Sequence, residues 1–118
     1  MAPTIVLDEK DRPQIVLGSG GAGRIASAIT QVLHLLIDHQ LPAEEAVRAP
    51  RVHLANGEFN VAAGFGEQLP PGAITDRLVE WEEYSLFFGG VHTLARRGDH
   101  WEAAGDHRRD GVARVAAG

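Results

Sequence analysis

Residues 14–38, QIVLGSGGAGRIASAITQVLHLLID, decide how the chain folds. The apolar run Ile15-Val16-Leu17 reads as a buried strand. A turn almost without side chains follows, Gly18-Ser19-Gly20-Gly21-Ala22-Gly23, and then a helix. Ile25, Ile29, Val32, Leu33 and Leu36 recur at i, i+4, i+7, i+8 and i+11, which is one helical face. A strand, a bare turn and a helix start in succession leave backbone N–H groups free beside the positive end of the helix dipole. Such a place favours negative charge, either a bound anion or an oxyanion formed during a reaction.

Upstream, residues 4–7 (TIVL) form a strand and residues 8–13 a polar turn, so residues 14–17 return as the second arm of a hairpin. Downstream, the helix is expected over 24–39 and is stopped by Leu41-Pro42, because the residue before proline is pushed out of the helical region. Residues 43–48 make a short helix with Glu44 and Glu45 in its first turn and Arg48 at its end, as the dipole prefers. Residues 51–54 and 58–62 read as strands around Ala55-Asn56-Gly57, a hairpin signal. Ile74, Leu78 and Trp81 at i, i+4 and i+7 predict a helix over 73–83. Residues 86–94 read as a strand with a bulge or close backbone approach at Gly89-Gly90, and 100–104 and 112–115 as two more strands. Trp81, Tyr84, Phe87 and Phe88 are expected to pack in the core. The order predicts an α+β fold of mostly antiparallel sheet with covering helices, in a single domain over residues 1–118.

Composition narrows the function. Apolar residues make up 44% of the chain and charged ones 23%, the balance of a folded domain. The net charge of −5 argues against a nucleic-acid partner, and Asp106 and Asp110 interrupt the basic end formed by Arg108, Arg109 and Arg114. Without cysteine the chain has no disulfide, thiolate nucleophile or Cys-based zinc site. The longest apolar run is broken by His34 and Asp38, so no membrane span is expected, and the opening residues carry no signal-peptide pattern. His34 and His39 are five apart rather than four, and neither a metal nor an organic cofactor is expected.

The glycine turn admits three readings. Gly18, Gly20 and Gly23 spell the dinucleotide fingerprint, and Asp38 lies twenty residues past Gly18. That acid should end a second parallel strand, however, and here it ends the helix itself. A purely structural reading has the glycines allow only a sharp turn and close helix packing. The third reading is an oxyanion hole.

The residues supporting the third reading are spread along the chain. Met1-Ala2-Pro3-Thr4-Ile5-Val6 and Gly18-Ser19-Gly20-Gly21-Ala22-Gly23-Arg24-Ile25 resemble the γ-glutamyltransferase (γ-glutamyl transpeptidase) family. The likeness continues through Gln31-Val32-Leu33, through Glu45-Ala46-Val47-Arg48-Ala49-Pro50-Arg51-Val52-His53 and into Gly64-Phe65. It resumes at Leu86-Phe87-Phe88-Gly89-Gly90-Val91-His92 and at Gly105-Asp106-His107-Arg108-Arg109, where the family usually has Asp-Pro-Arg.

The resemblance implies part of an N-terminal-nucleophile hydrolase αββα sandwich, the C-terminal part of the small subunit. It implies a threonine nucleophile that attacks γ-glutamyl amides of the glutathione type, with its own α-amine as base. Water as acceptor gives hydrolysis, and an amino acid or peptide gives transpeptidation. By position the oxyanion-hole amides fall on Gly21 and Ala22, and Ala22 keeps the N–H of the family's glycine, a departure that is tolerable if its φ is negative. Ser19, Gly20 and Arg24 are the neighbouring substrate-contact candidates. Arg24 is disfavoured by the dipole at a helix start, which calls for a structural ion pair or a substrate carboxylate. None of Thr4, Thr30, Thr75 and Thr93 matches the nucleophile. The chain is therefore expected to be inactive alone and to need the remainder of the enzyme. A catalytically silent, self-associating remnant is the alternative, with orphan sheet edges pairing between copies.

Overall fold

The computed structural model describes residues 3–65 and 77–114. Among them are β1 (Thr4–Leu7), β2 (Pro13–Gly18), α1 (Ile25–Ile37), α2 (Ala43–Arg48), β3 (Val52–Ala55), β4 (Glu58–Val61), β5 (Arg77–Glu80), β6 (His92–Arg97) and β7 (His100–Ala104). Single 3-10 turns at Ala22–Arg24, Leu86–Phe88 and His107–Arg109 join them. The strands form two sheets, ordered β1-β2-β6-β7 and β3-β4-β5.

The first sheet is antiparallel throughout, with its first hairpin held by Asp8. Asp8 Oδ1 accepts the amides of Lys10 (2.8 Å) and Arg12 (3.0 Å), and Oδ2 meets Arg96 Nη2 at 2.6 Å. These bonds, the Arg12 amide foremost, hold the carboxyl well below the usual carboxylate range. One sheet face is apolar by alternation. Ile15, Leu17, Ala95 and Ala104 join a core with Ala28, Ile29, Val32 and Leu36 of α1 and Ala43, Ala46 and Val47 of α2. The expected stripe on α1 therefore is the buried one. On the opposite face the register sets Ile5, Val16, Leu94 and Ala103 side by side, and there Ile5 is 60% and Leu94 44% exposed.

Long-range side chains tie the layers together. Glu102 Oε1 accepts the Ala43 amide at 3.0 Å and so caps the start of α2 from β7. The Gln31 amide pairs with Val52 in both directions, at 2.8 Å each way, as a neighbouring strand would. Asn56 and Gly57, with φ of 53° and 73°, close the β3–β4 hairpin in the expected turn.

Three expected elements differ. Residues 77–80 are a strand parallel to β4, pairing Glu58 with Arg77 and Val61 with Glu80, where a helix over 73–83 was expected. The open edge of β4 offers a ladder, and the Trp81 amide extends it to Val61 O at 2.9 Å. That pairing outweighs a weak helical spacing, whose first member, Ile74, lies outside the described residues. Residues 86–88 form a 3-10 turn rather than strand, because Ser85 Oγ accepts the Phe87 amide at 3.1 Å and Gly89 has φ of 85°. The strand starts only at His92. Residues 112–114 are in no strand, Val112 is 83% exposed, and Val115 lies outside the described residues.

β2 has antiparallel neighbours on both sides, which rules out the parallel unit that a dinucleotide site requires. Asp38 instead bonds His34 Nδ1 at 2.6 Å on the exposed end of α1.

Candidate functional site

The glycine turn ends β2 and opens a helical segment. Its 3-10 turn begins with the Arg24 amide on Gly21 O at 3.0 Å and runs directly into the 13 residues of α1. The amides of Gly21 and Ala22 make no hydrogen bond within the described residues. Two adjacent orphan donors thus sit at the positive end of the helix dipole. Gly21 is half-buried and Ala22 exposed. The backbone is unusual at both positions, with φ of 122° at Gly21 and 49° at Ala22. Ala22 therefore does not meet the condition of a negative φ set for its replacing glycine. The turn is built on the left-handed side, where glycine is at ease and alanine is strained by about 1–2 kcal/mol.

The other candidates divide. Ser19 is 1% exposed, and its hydroxyl is engaged inside the protein, with Gly20 O at 2.7 Å and the Gly90 amide at 3.2 Å. It therefore faces the core, where a substrate contact was expected. Gly20 lies against the Arg109 guanidinium, and a side chain there would bring Cβ to 3.2 Å from Nη1. Arg24 meets no acid among the described residues. Its Nε donates to Phe87 O at 2.7 Å and its guanidinium lies 4.4 Å from the Phe87 ring centre. A carbonyl and a π-face take the place of the expected ion pair.

Three arginines converge on the turn at 86–88. Arg109 donates to Leu86 O at 3.2 Å, Arg24 to Phe87 O, and Arg51 to Phe88 O at 2.8 Å. The aromatic residues cluster at this turn, with Trp81 stacked on Phe87 at 4.7 Å between centres and Phe88 edge-on to Phe87 at 5.0 Å. Where core packing was expected, however, only Phe88 is buried, Trp81 and Phe87 being half-buried. Tyr84 lies instead beneath Arg108, 4.2 Å from the guanidinium carbon.

Beneath the turn is a buried ion cluster. Asp106 is wholly buried and Arg51 and Arg108 nearly so. Asp106 Oδ2 accepts Arg51 Nη2 and the Val91 amide, both at 2.9 Å, and Oδ1 accepts Arg108 Nη1 at 3.2 Å and the Arg108 amide at 3.0 Å. Both guanidiniums also bond Val47 O at 2.8 Å, and Arg108 reaches Ala49 O at 2.9 Å. Burial would raise the Asp106 pKa, but Arg51, the Val91 amide and Arg108 outweigh it and hold it below its ordinary value. Burial, then Arg108, lower the Arg51 pKa against the pull of Asp106. Asp106 also caps the turn at 107–109, so the proline usual in the family's motif is not needed to shape it.

Arg51 and Asp106 are 55 residues apart and had no functional reading from sequence. No periodicity marks a buried arginine apart from a solvated one. The available signal was indirect, since both lie in stretches that carried the family resemblance.

The sequence matches the gamma-glutamyltranspeptidase family over residues 1–116. The chain belongs to that family. A glutathione hydrolase proenzyme of Pseudomonas aeruginosa is 43% identical over 53 residues, 45% of this chain and 9% of that protein. An acylase ACY 1 proenzyme of Pseudomonas sp. strain SE83 is 37% identical over 79 residues, 67% of this chain and 13% of that protein. Among solved structures, a gamma-glutamyltranspeptidase of Pseudomonas nitroreducens, complexed with L-DON, superposes with a TM-score of 0.79 at 29% identity. That match covers 99% of this chain and 62% of the other. The fold is the N-terminal-nucleophile hydrolase fold of these enzymes, and the chain spans only 9–13% of the length of the two proenzymes.

Replacing Asp106 by alanine strands two buried guanidiniums and is expected to cost about 3–5 kcal/mol in urea unfolding. In the native chain the Asp106 contribution should be complete above the ordinary carboxylate pKa of about 3.9 and be lost as pH falls through the lower folded value. Ala22→Gly should raise stability by about 0.5–1 kcal/mol in the same measurement, by relieving left-handed strain.

Proposed function

We propose that this chain supplies the oxyanion-binding turn of a site that hydrolyses or transfers γ-glutamyl groups. The observation that carries the reading is the pair of unbonded, adjacent amides of Gly21 and Ala22 at a helix start in a member of this family. The nucleophile is a threonine contributed by the remainder of the enzyme, with its α-amine as base. Attack on the γ-carbonyl moves charge onto the carbonyl oxygen, and the two amides stabilise that charge as it forms. Collapse expels the amine and leaves a γ-glutamyl ester, which water or an amino acceptor resolves. Arg24 and Arg109 make no ion pair among the described residues, so the turn's surroundings stay positive without a competing carboxylate.

In this reading none of the described threonines, Thr4, Thr30 and Thr93, is the attacking group. Thr93 is buried with its hydroxyl on Val91 O at 3.1 Å, Thr30 stands exposed on α1, Thr4 lies within β1, and Thr75 lies outside the described residues. The partner is the rest of the enzyme, and the open sheet face at Ile5, Leu94 and Trp101 is the apolar surface it would cover.

The isolated chain is expected to show no turnover of a chromogenic γ-glutamyl anilide, and activity should appear once the polypeptide bearing the threonine is supplied. In that assembled enzyme, exchanging the amide of Gly21 or Ala22 for an ester, by incorporating glycolic or lactic acid, should lower kcat by about 10²–10³. Turnover by the chain alone would overturn the first expectation, and unchanged kcat in both esters the second. Oligomers of the isolated chain that never gain activity on complementation would favour a silent, self-associating remnant.

A further inference from the structure

We propose that the Ser19 hydroxyl is a positioning group that locks the Gly20–Gly21 peptide in the orientation oxyanion binding needs. The inference rests on the role assigned above to the Gly21 amide. Ser19 is buried, and its Oγ lies 2.7 Å from Gly20 O and 3.2 Å from the Gly90 nitrogen. The backbone amide can only donate and the carbonyl can only accept, so the single hydroxyl proton goes to Gly20 O. Gly20 C=O and Gly21 N–H belong to one planar trans peptide and point in opposite directions. Holding the carbonyl toward Ser19 therefore aims the Gly21 N–H the other way.

The lock matters because the alternative orientation is cheap. Flipping this peptide rotates φ of Gly21 by roughly 180°. That would carry it from 122° into the ordinary negative range open to any residue. Between two glycines no side chain opposes the flip. The flipped peptide would present a carbonyl oxygen, with partial negative charge, where an N–H is required. Within the described residues, the Ser19 bond is the contact that tells the two orientations apart.

The strut is itself braced. Gly89, at φ of 85°, leaves room for Ser19, since a Cβ there would come to 2.7 Å from Oγ. The segment around Gly89 and Gly90 is held on one side by Arg51 at Phe88 O and on the other by Asp106 at the Val91 amide. The donor to Ser19 is thus anchored to the buried ion cluster.

The test uses the assembled enzyme, formed from this chain and the polypeptide bearing the threonine. Ser19→Ala should lower kcat for a γ-glutamyl anilide by about 10–10², less than the loss of a whole donor, with KM changed by under about threefold because the ground state gains little from the amide. Ser19→Thr, which keeps the hydroxyl, should restore most of kcat. In ¹⁵N-labelled enzyme the Gly21 amide should gain microsecond–millisecond exchange in Ser19→Ala and lose it again in Ser19→Thr. If Ser19→Ala does not fold, Ser19→Cys replaces it, as the thiol fills the space but donates weakly. A folded Ser19→Ala or Ser19→Cys enzyme with normal kcat, in the presence of damaged Gly21 and Ala22 esters, overturns the Ser19 role and leaves the oxyanion reading standing. Normal kcat in the esters as well overturns the reading itself. A fall in kcat with no Gly21 exchange and no rescue by threonine marks Ser19 as merely structural and also overturns the proposal.

Discussion

A carboxylate enclosed by two guanidiniums is the constraint on which the rest of this structure depends. Asp106 has no exposure, and taking its charge out of water is worthwhile only because Arg51, Arg108 and the amides of Val91 and Arg108 occupy its lone pairs. The cluster carries one excess positive charge, which the carbonyls at the end of α2 share, Val47 O with both arginines and Ala49 O with Arg108. Such a cluster contributes more to geometry than to net stability. It joins the end of α2, the segment before β6 and the turn at 107–109.

From that anchor the geometry passes to the glycine turn through contacts with no slack. Arg51 and Asp106 grip the segment from Phe88 to Val91, whose Gly90 amide bonds Ser19. The arginines that hold the carbonyls at 86–88 reach them from the helix start, the strand β3 side and the 107–109 turn. A side chain at Gly90 would meet Arg109 Cδ at 2.6 Å, so the smallness of this segment is a packing requirement. A rigid mount of this kind suits catalysis that works by preorganised dipoles, since donors held in place spend no energy reorienting as charge develops.

Local signals in the sequence suffice where the chemistry is local. The stripe on α1 and the hairpin at Asn56-Gly57 each depend on residues within a turn or two of one another, whereas α1 ends at Ile37, ahead of the stop expected at Leu41-Pro42, with Gln40 at φ of 52°. The helix expected over 73–83 failed for the converse reason, because a short apolar spacing cannot know that β4 leaves an edge to be paired. The strand expected through 86–94 begins only at His92 because Ser85 captures an amide, and the close approach expected at Gly89-Gly90 follows directly on the resulting turn.

For the candidate site, the order of residues along the chain was enough to name the glycine turn, the helix dipole behind it and the family. The turn and the helix behind it follow from which side chains are missing and how apolar positions repeat, and the family from the resemblance of several motifs in order along the chain. The sign of φ at Ala22, the inward direction of Ser19 and the meeting of Arg51 with Asp106 came only from the folded molecule. Each depends on what lies across from a residue in space: a glycine pair 71 residues away for Ser19, and a carboxylate 55 residues away for Arg51. Burial turns an ordinary serine or arginine into a structural fixture, and burial belongs to the assembled layers rather than to any stretch of chain.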